Sequence, residues 1–253
     1  MPMLNRLFLS LILLLSLPFS LTARADTERL VIYAEDSLPF AYISEGKVRG
    51  PTSDFVRLIA QRAGYEPEIR LASWSGIINR TEAEKSVIFY PMARTPERED
   101  RYQWIGSIAW YKNYNFYKKK GRKEVFIHTL DDAKKYKVGI IINDVRETYL
   151  LKNGFKELKS GDAAGLVRLV NNIEGMRLLK MERIDLLPLS LPYFESYCKG
   201  DCGDYEAAMA LDLSLDLELA ATKGVAPETI ERLRNAFQSL QKDGTYTKLL
   251  GNH

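Results

Sequence analysis

Apolar and polar positions along the chain fall into two alternating rhythms. RLVIYA, residues 29–34, is a short aliphatic and β-branched run and predicts a buried strand. EDSLPFAY follows as a loop around Pro39, leading to a short strand and the turn SEGK. In TSDFVRLIAQRAGY, Phe55, Leu58, Ile59 and Ala63 recur on one helical face, with Thr52 or Ser53 placed to cap the start and Gly64 the end. EPEIRLA reads as a strand, SWSGIINRTEAEK as a short helix entered from a loop at Ser73–Trp74, and SVIFYPM as another buried strand. This order predicts an α/β unit on a mostly parallel sheet.

A second unit follows an aromatic-rich stretch, in which YNFYK reads as an extended crossing. LDDAKK predicts a short helix, YKVGIII a buried strand, and DVRETYLLKNG a helix with Asp144 in its first turn. FKELKS is strand-like. AAGLVRLVNNIEGMRLLKME reads as a helix broken near Gly175, RIDLLPLS as a strand and PYFESYC as a helix. LDLELAATKG returns as a strand. APETIERLRNAFQSLQKDG is a strong helix with Pro227 near its start and Gly244 at its end, and TYTKLLG a last helical turn. Two α/β units with a returning C-terminal segment predict two lobes and a cleft, with crossings near Asn115–Lys119 and Leu211–Leu217. Ligands of open α/β sheets gather at the C-terminal ends of strands. YPMARTPERED, residues 90–100, ends such a strand and is the first candidate site.

The N-terminus changes the picture of where this happens. Arg6 precedes an apolar run from Leu7 to about Leu21, and Ala23-Arg24-Ala25 carries small residues at both positions a signal peptidase reads. The run is only about 15 residues, short of the roughly 20 that a spanning helix needs. Residues 1–25 therefore read as a cleaved signal peptide, and the product as exported. Of 36 basic and 33 acidic side chains, the signal holds Arg6 and Arg24, so the exported chain is nearly neutral. That balance gives no reason to expect nucleic acid, and KKKGRK, 118–123, reads as a solvated loop. In an oxidising compartment Cys198 and Cys202 are expected to close a small disulfide. A metal site would need more ligands than His128 and the terminal His253 supply. No cofactor motif and no Ser/His/Asp constellation is present.

From Arg29 to Leu250 the chain resembles the bacterial extracellular solute-binding proteins of family 3, two-lobed receptors of polar amino acids and related solutes. The resemblance rests on LPFAY, GPTSDFVRLIAQRAGY, MARTPEREDRYQWIGSIAWY, KVGIIINDVRETYL, Ile184-Asp185 and ATKGV…LQKDGTYTKLL, in that order. It implies a type II periplasmic-binding-protein fold, with residues 26–116 and 213–253 in the first lobe and 117–212 in the second. The family's T-x-x-R motif is Thr95-Pro96-Glu97-Arg98 here. Arg98 is thereby the expected clamp on a ligand carboxylate, since a guanidinium offers two parallel donors to it. The resemblance also points to Trp74 as an aromatic stacked on the ligand, and to the main chain at Pro91 and Ala93. Ser37 stands where a second aromatic is usual; Phe40 and Tyr42 are near enough to compensate, although core packing is the expected fate of both. Arg94 is either a ligand contact or a solvated side chain.

In the second lobe the resemblance brings Asn143-Asp144-Val145-Arg146 to a helix N-terminus facing the cleft. There Asp144 is expected mainly as the N-cap, and Arg146 is a candidate second anion contact. Leu189 occupies the position of the acid that holds an α-ammonium. Either Glu35, Asp36 or Asp144 takes that role, or the ligand is not a standard α-amino acid; the second reading is preferred. The expected function is a monomeric periplasmic receptor, not an enzyme, that closes on a small carboxylate-bearing solute and presents it to an ABC-type permease. The alternatives are a sensor module signalling to a membrane partner, and a dehydratase-like enzyme using Glu35 or Asp36 as acid-base.

Overall fold

Ile32 and Ala34 of RLVIYA are fully buried, in a sheet that organises the first lobe of the computed structural model. Residues 27–251 are described; the expected signal peptide, residues 1–25, and His253 lie outside them. In chain order the elements are β1 (Arg29–Glu35), β2 (Tyr42–Ser44), β3 (Lys47–Arg49), α1 (Pro51–Arg62), β4 (Glu66–Ala72), α2 (Trp74–Ala83), β5 (Ile88–Ala93) and β6 (Tyr102–Tyr111). Then come β7 (Tyr114–Lys119), α3 (Leu130–Ala133), β8 (Lys137–Ile141), α4 (Val145–Lys152), β9 (Gly165–Leu169), α5 (Asn172–Lys180), β10 (Leu187–Ser190), α6 (Leu191–Cys198) and β11 (Tyr205–Leu211). β12 (Leu215–Thr222), α7 (Pro227–Lys242) and α8 (Thr245–Leu250) complete the chain.

The first sheet has the order β4-β1-β5-β12-β6. β1 runs parallel to β4 and β5, and β12 returns antiparallel between β5 and β6. Phe55 and Ile59 of α1 share one buried cluster with Ile230, Leu233 and Phe237 of α7. α1 starts earlier than the expected Thr52 or Ser53 cap: Gly50 is the N-cap and Pro51 the first helical residue. A Cβ on Gly50 would lie 2.3 Å from the Phe40 carbonyl oxygen, and its φ is +116°, so the start requires glycine. Thr52 and Ser53 are buried within the first turn instead.

The second lobe is built on a three-stranded antiparallel sheet, β10-β7-β11, with β8 and β9 parallel beside it. Val138 of β8 bridges to Leu186, immediately before β10. The chain passes from one sheet to the other at Lys112–Asn113 and returns over residues 212–214. The expected crossing at 115–119 is instead strand β7, whose Asn115 pairs with Leu189 and Ala210. The long helix expected over 163–182 is also divided. GLVRL forms β9, and α5 begins only after Asn171, whose side-chain oxygen accepts from Glu174 N at 2.8 Å. Gly175 does not break α5. A Cβ there would press within 2.9 Å of Leu169 and Leu187, so its absence lets the helix settle on the sheet. FKELKS contributes a single bridge, Glu157 to Leu166.

KKKGRK is not a free solvated loop. Lys118 Nζ donates to the Val125 carbonyl at 2.8 Å and pairs with Glu206, Lys119 pairs with Glu182, and Arg122 pairs with Asp185. Cys198 and Cys202 are disulfide-bonded, their Cα atoms 5.1 Å apart. The lobes meet through apolar surface: one buried cluster holds Trp74 and Met92 of the first with Leu189 and Tyr193 of the second.

Candidate functional site

The cleft between the sheets encloses a cavity of about 50 Å³. Each wall is set by the end of a secondary element. Ser73 caps α2, its Oγ accepting from Gly76 N at 3.2 Å, which places Trp74 in the first turn facing the second lobe. β5 delivers Pro91 and Ala93, and the turn that follows carries Arg98, whose backbone N–H donates to the Thr95 carbonyl at 2.9 Å. Across the cleft, Asp144 caps α4, and Leu189 and Ser190 end β10.

Three arginines near this cleft have different fates. Arg94 pairs with Glu99 at 2.5 Å and Glu218 at 3.0 Å and does not line the cavity, so it is not a freely solvated side chain. Arg146 is buried and donates to both Asp144 oxygens, at 2.7 and 3.0 Å, and to Asn172 Oδ1 and the Pro188 carbonyl. Arg98 forms no ion pair among the described residues. Its Nη1 donates to the Ala93 carbonyl at 3.3 Å and its Nη2 crosses the cleft to the Asn143 carbonyl at 3.1 Å. The guanidinium lies 5.5 Å from the centre of the Trp74 ring, within cation–π range.

The acids divide as well. Burial pushes Asp144 toward its neutral form, but the charge and bonds of Arg146 outweigh this and hold its pKa below the ordinary carboxylate value. Glu35 has no such partner. Burial, reinforced by the nearby Asp144 charge and only partly offset by Arg146, pushes its pKa up to about 8. Burial disfavours the charge on Arg98, and Asp144 compensates in part. Among the described residues no cluster of His, Cys, Asp and Glu is arranged to hold a metal ion.

A family model of the bacterial extracellular solute-binding proteins, family 3, matches residues 30–253. The chain belongs to that family. A search of curated proteins found no match. Among solved structures, the family 3 chain resembles an ancestral arginine-binding protein bound to arginine, at 24% identity and a TM-score of 0.72, over 87% of this chain and 96% of that one. It also resembles an amino acid ABC transporter substrate-binding protein from Streptococcus pneumoniae bound to L-arginine, at 20% identity and 0.69, over 88% and 92%. A histidine kinase sensor domain with similarity to periplasmic binding proteins matches at 18% identity and 0.74, over 88% and 95%. At these identities the likeness establishes the two-lobed fold. Among the described residues no helix is long and apolar enough to cross a membrane.

Within this family 3 fold, Ser37, Trp74, Pro91, Ala93 and Arg98 of the first lobe line the cavity. Asp144, Val145, Arg146 and Leu189 line it from the second. Thr95 does not; it lies in a neighbouring groove with Glu97 and Lys152. Phe40 packs on Tyr111, ring centres 4.8 Å apart, and Tyr42 lies in the β2–β3 hairpin, so neither replaces an aromatic at Ser37. The cavity is also lined by Tyr111, Tyr114 and Tyr193, which the sequence pattern did not point to, together with Glu35, Asn172, Ser190, Leu215 and Leu217. A signal existed for two of them. Tyr111 and Tyr114 flank the crossing at Lys112–Asn113, and placing that crossing correctly puts both at the base of the cleft.

Proposed function

We propose that this protein is an exported periplasmic receptor that closes on a small carboxylate-bearing solute and presents it to an inner-membrane ABC-type permease. The observation that carries the reading is Arg98: a cationic fork at the cleft, backed by an aromatic ring, with carbonyls but no carboxylate as partners. A solute carboxylate would pair with this fork through charge-assisted bonds. The same side chain already spans the cleft to Asn143, so occupancy and closure are coupled. Closure is a population shift, and the solute drives it only as far as it binds the closed form better. The lobes divide at Lys112–Asn113 and at 212–214, and these two short crossings act as the hinge. Family membership and neighbours that bind amino acids or are named as substrate-binding components support a receptor over an enzyme.

The test is a thermal-shift screen of mono- and dicarboxylates, α-amino acids and amines against the wild type and Arg98→Ala. A solute at 100 times its Kd adds about 2.7 kcal/mol to the native state. A shift by any carboxylate that disappears in Arg98→Ala supports the reading; shifts only by amines, or shifts unchanged in Arg98→Ala, contradict it. One observation favours a second reading: the elevated Glu35 at the cleft suits acid-base catalysis. Product formation from a bound carboxylate, lost in Glu35→Gln, would replace the receptor by an enzyme.

A further inference from the structure

The turn that leads into α4 presents a main-chain carbonyl to the other lobe. Residues 141–144 close a tight turn, the Asp144 N–H donating to the Ile141 carbonyl at 3.2 Å. Asn143, third in that turn, has a φ of +61°, in the left-handed region that asparagine tolerates and β-branched residues resist. In a trans peptide the carbonyl and the next N–H point opposite ways. With the Asp144 N–H turned in toward Ile141, the Asn143 carbonyl is turned out, where it accepts from Arg98 Nη2 at 3.1 Å. The Asn143 side chain itself is exposed.

Glu147 holds this turn from below. It is the third residue of α4, where a capping-box glutamate bonds to the N–H of the N-cap. Here the N-cap is Asp144, whose N–H is already spent on the turn. Glu147 reaches one residue further out, and its Oε2 accepts from the Asn143 N–H at 2.7 Å. The side chain is buried, and its Oε1 pairs with Arg168 Nε at 3.3 Å, so both oxygens are engaged. Across the cleft, Arg98 is steadied by its own wall, through Nη1 to the Ala93 carbonyl. Neither Asn143 nor Glu147 lines the cavity.

Resting on the receptor reading above, in which the lobes open and close, we propose that Asn143 and Glu147 are positioning residues of a closure latch. Glu147 fixes the left-handed turn, the turn aims the Asn143 carbonyl at Arg98, and that bond biases the lobes toward the closed form. The donor is charged, which makes the bond stronger than one between neutral groups. A change in the closed fraction changes apparent solute affinity by the same factor. Glu147 thus tunes affinity from outside the cavity, without touching the solute.

The test needs no solute. Nitroxide labels on Glu82→Cys in the first lobe and Arg177→Cys in the second report the distance between lobes by pulsed electron resonance on the purified protein. The expected result is a closed population in the otherwise unaltered protein, whose closed-to-open ratio falls about tenfold or more in Arg98→Ala, where the charged donor is lost. Glu147→Ala and Asn143→Val should each lower it about threefold or more, the first by freeing the turn and the second by resisting its φ. Glu147→Gln, which keeps an acceptor oxygen, and Asn143→Gly, which adopts positive φ freely, should stay within about twofold of the starting ratio. Glu147→Ala should add nothing once Arg98→Ala is present, because both act through one bond. An Arg98→Ala protein with an unchanged ratio overturns the latch. Glu147→Ala and Asn143→Val leaving the ratio intact while Arg98→Ala lowers it overturn the positioning roles. Glu147→Ala opening the lobes equally with and without Arg98 shows that it supports the fold alone, and overturns them too. The carboxylate reading is decided separately by the thermal-shift screen, so either can fail while the other stands.

Discussion

The two walls of the cleft carry the same side chain put to different uses. On the second lobe, Arg146 is buried and its bonds go to its own wall: Asp144, Asn172 and the Pro188 carbonyl. On the first lobe, Arg98 holds only carbonyls, one of them across the cleft. A buried ion pair of the first kind organises a surface at little net gain, because desolvation offsets the attraction. A cation of the second kind donates to carbonyls and to no carboxylate. Composition does not separate the two; the acid two residues before Arg146 does.

Removing Arg146 should have the largest effect. Arg146→Ala leaves Asp144 buried without its cation, and chemical denaturation should show a loss of about 3 to 5 kcal/mol. A loss under about 1 kcal/mol would mean the pair does not organise the wall. Arg98→Ala should lower affinity for the bound carboxylate by about 100-fold or more, since a charge-assisted pair in a desolvated site is removed. Its melting temperature without solute should barely move, because the two carbonyl bonds and the Trp74 contact that are lost are offset by relief of the burial that disfavours its charge.

Glu35 sharpens the contrast through pH. Its folded pKa of about 8 lies above the ordinary value of 4.5, raised chiefly by burial and then by the Asp144 charge, with Arg146 opposing and Asp36 adding least. The folded state therefore keeps a proton that the unfolded chain releases between those values, and Glu35 lowers stability as pH rises through that window. Glu35→Gln should stabilise the protein by about 1 to 2 kcal/mol at pH 8, with the gain vanishing near pH 4, as thermal melts across pH would show. Carboxylate affinity of the wild type should fall above pH 8, where Glu35 becomes an anion beside the ligand. The smallest effect belongs to the exposed bridge from Glu97 to Lys152 across the cleft mouth. Lys152→Ala should change Kd by no more than about threefold, and less in high salt.

Much of this architecture could be read from periodicity. α7 was legible because Ile230, Leu233, Phe237 and Leu240 keep one face, and β5 because its run is buried throughout. β9 was not, because LVRLV runs directly into the helical spacing of α5 and the boundary lies in Asn171-Asn172, a capping signal that a continuous apolar pattern hides. Arg98 and Trp74 were reachable through the family resemblance, whose T-x-x-R motif carries Arg98. Tyr193, Asn172 and Ser190 were not, because they reach the cavity only when α6, α5 and β10 dock together, a long-range event with no local trace. Equally, nothing in NDVR says that Arg146 turns back onto Asp144.

The decisive measurement is the pair of readouts, melting temperature without solute and affinity with it, taken on Arg98→Ala and Arg146→Ala side by side. The probe is the carboxylate giving the largest thermal shift on the wild type. The account predicts a clean split: Arg98→Ala keeps its melting temperature and loses binding, while Arg146→Ala loses stability first. If Arg98→Ala binds like the wild type while the still-folded Arg146→Ala does not, Arg146 is the ligand's partner and the assignment of the two walls is reversed.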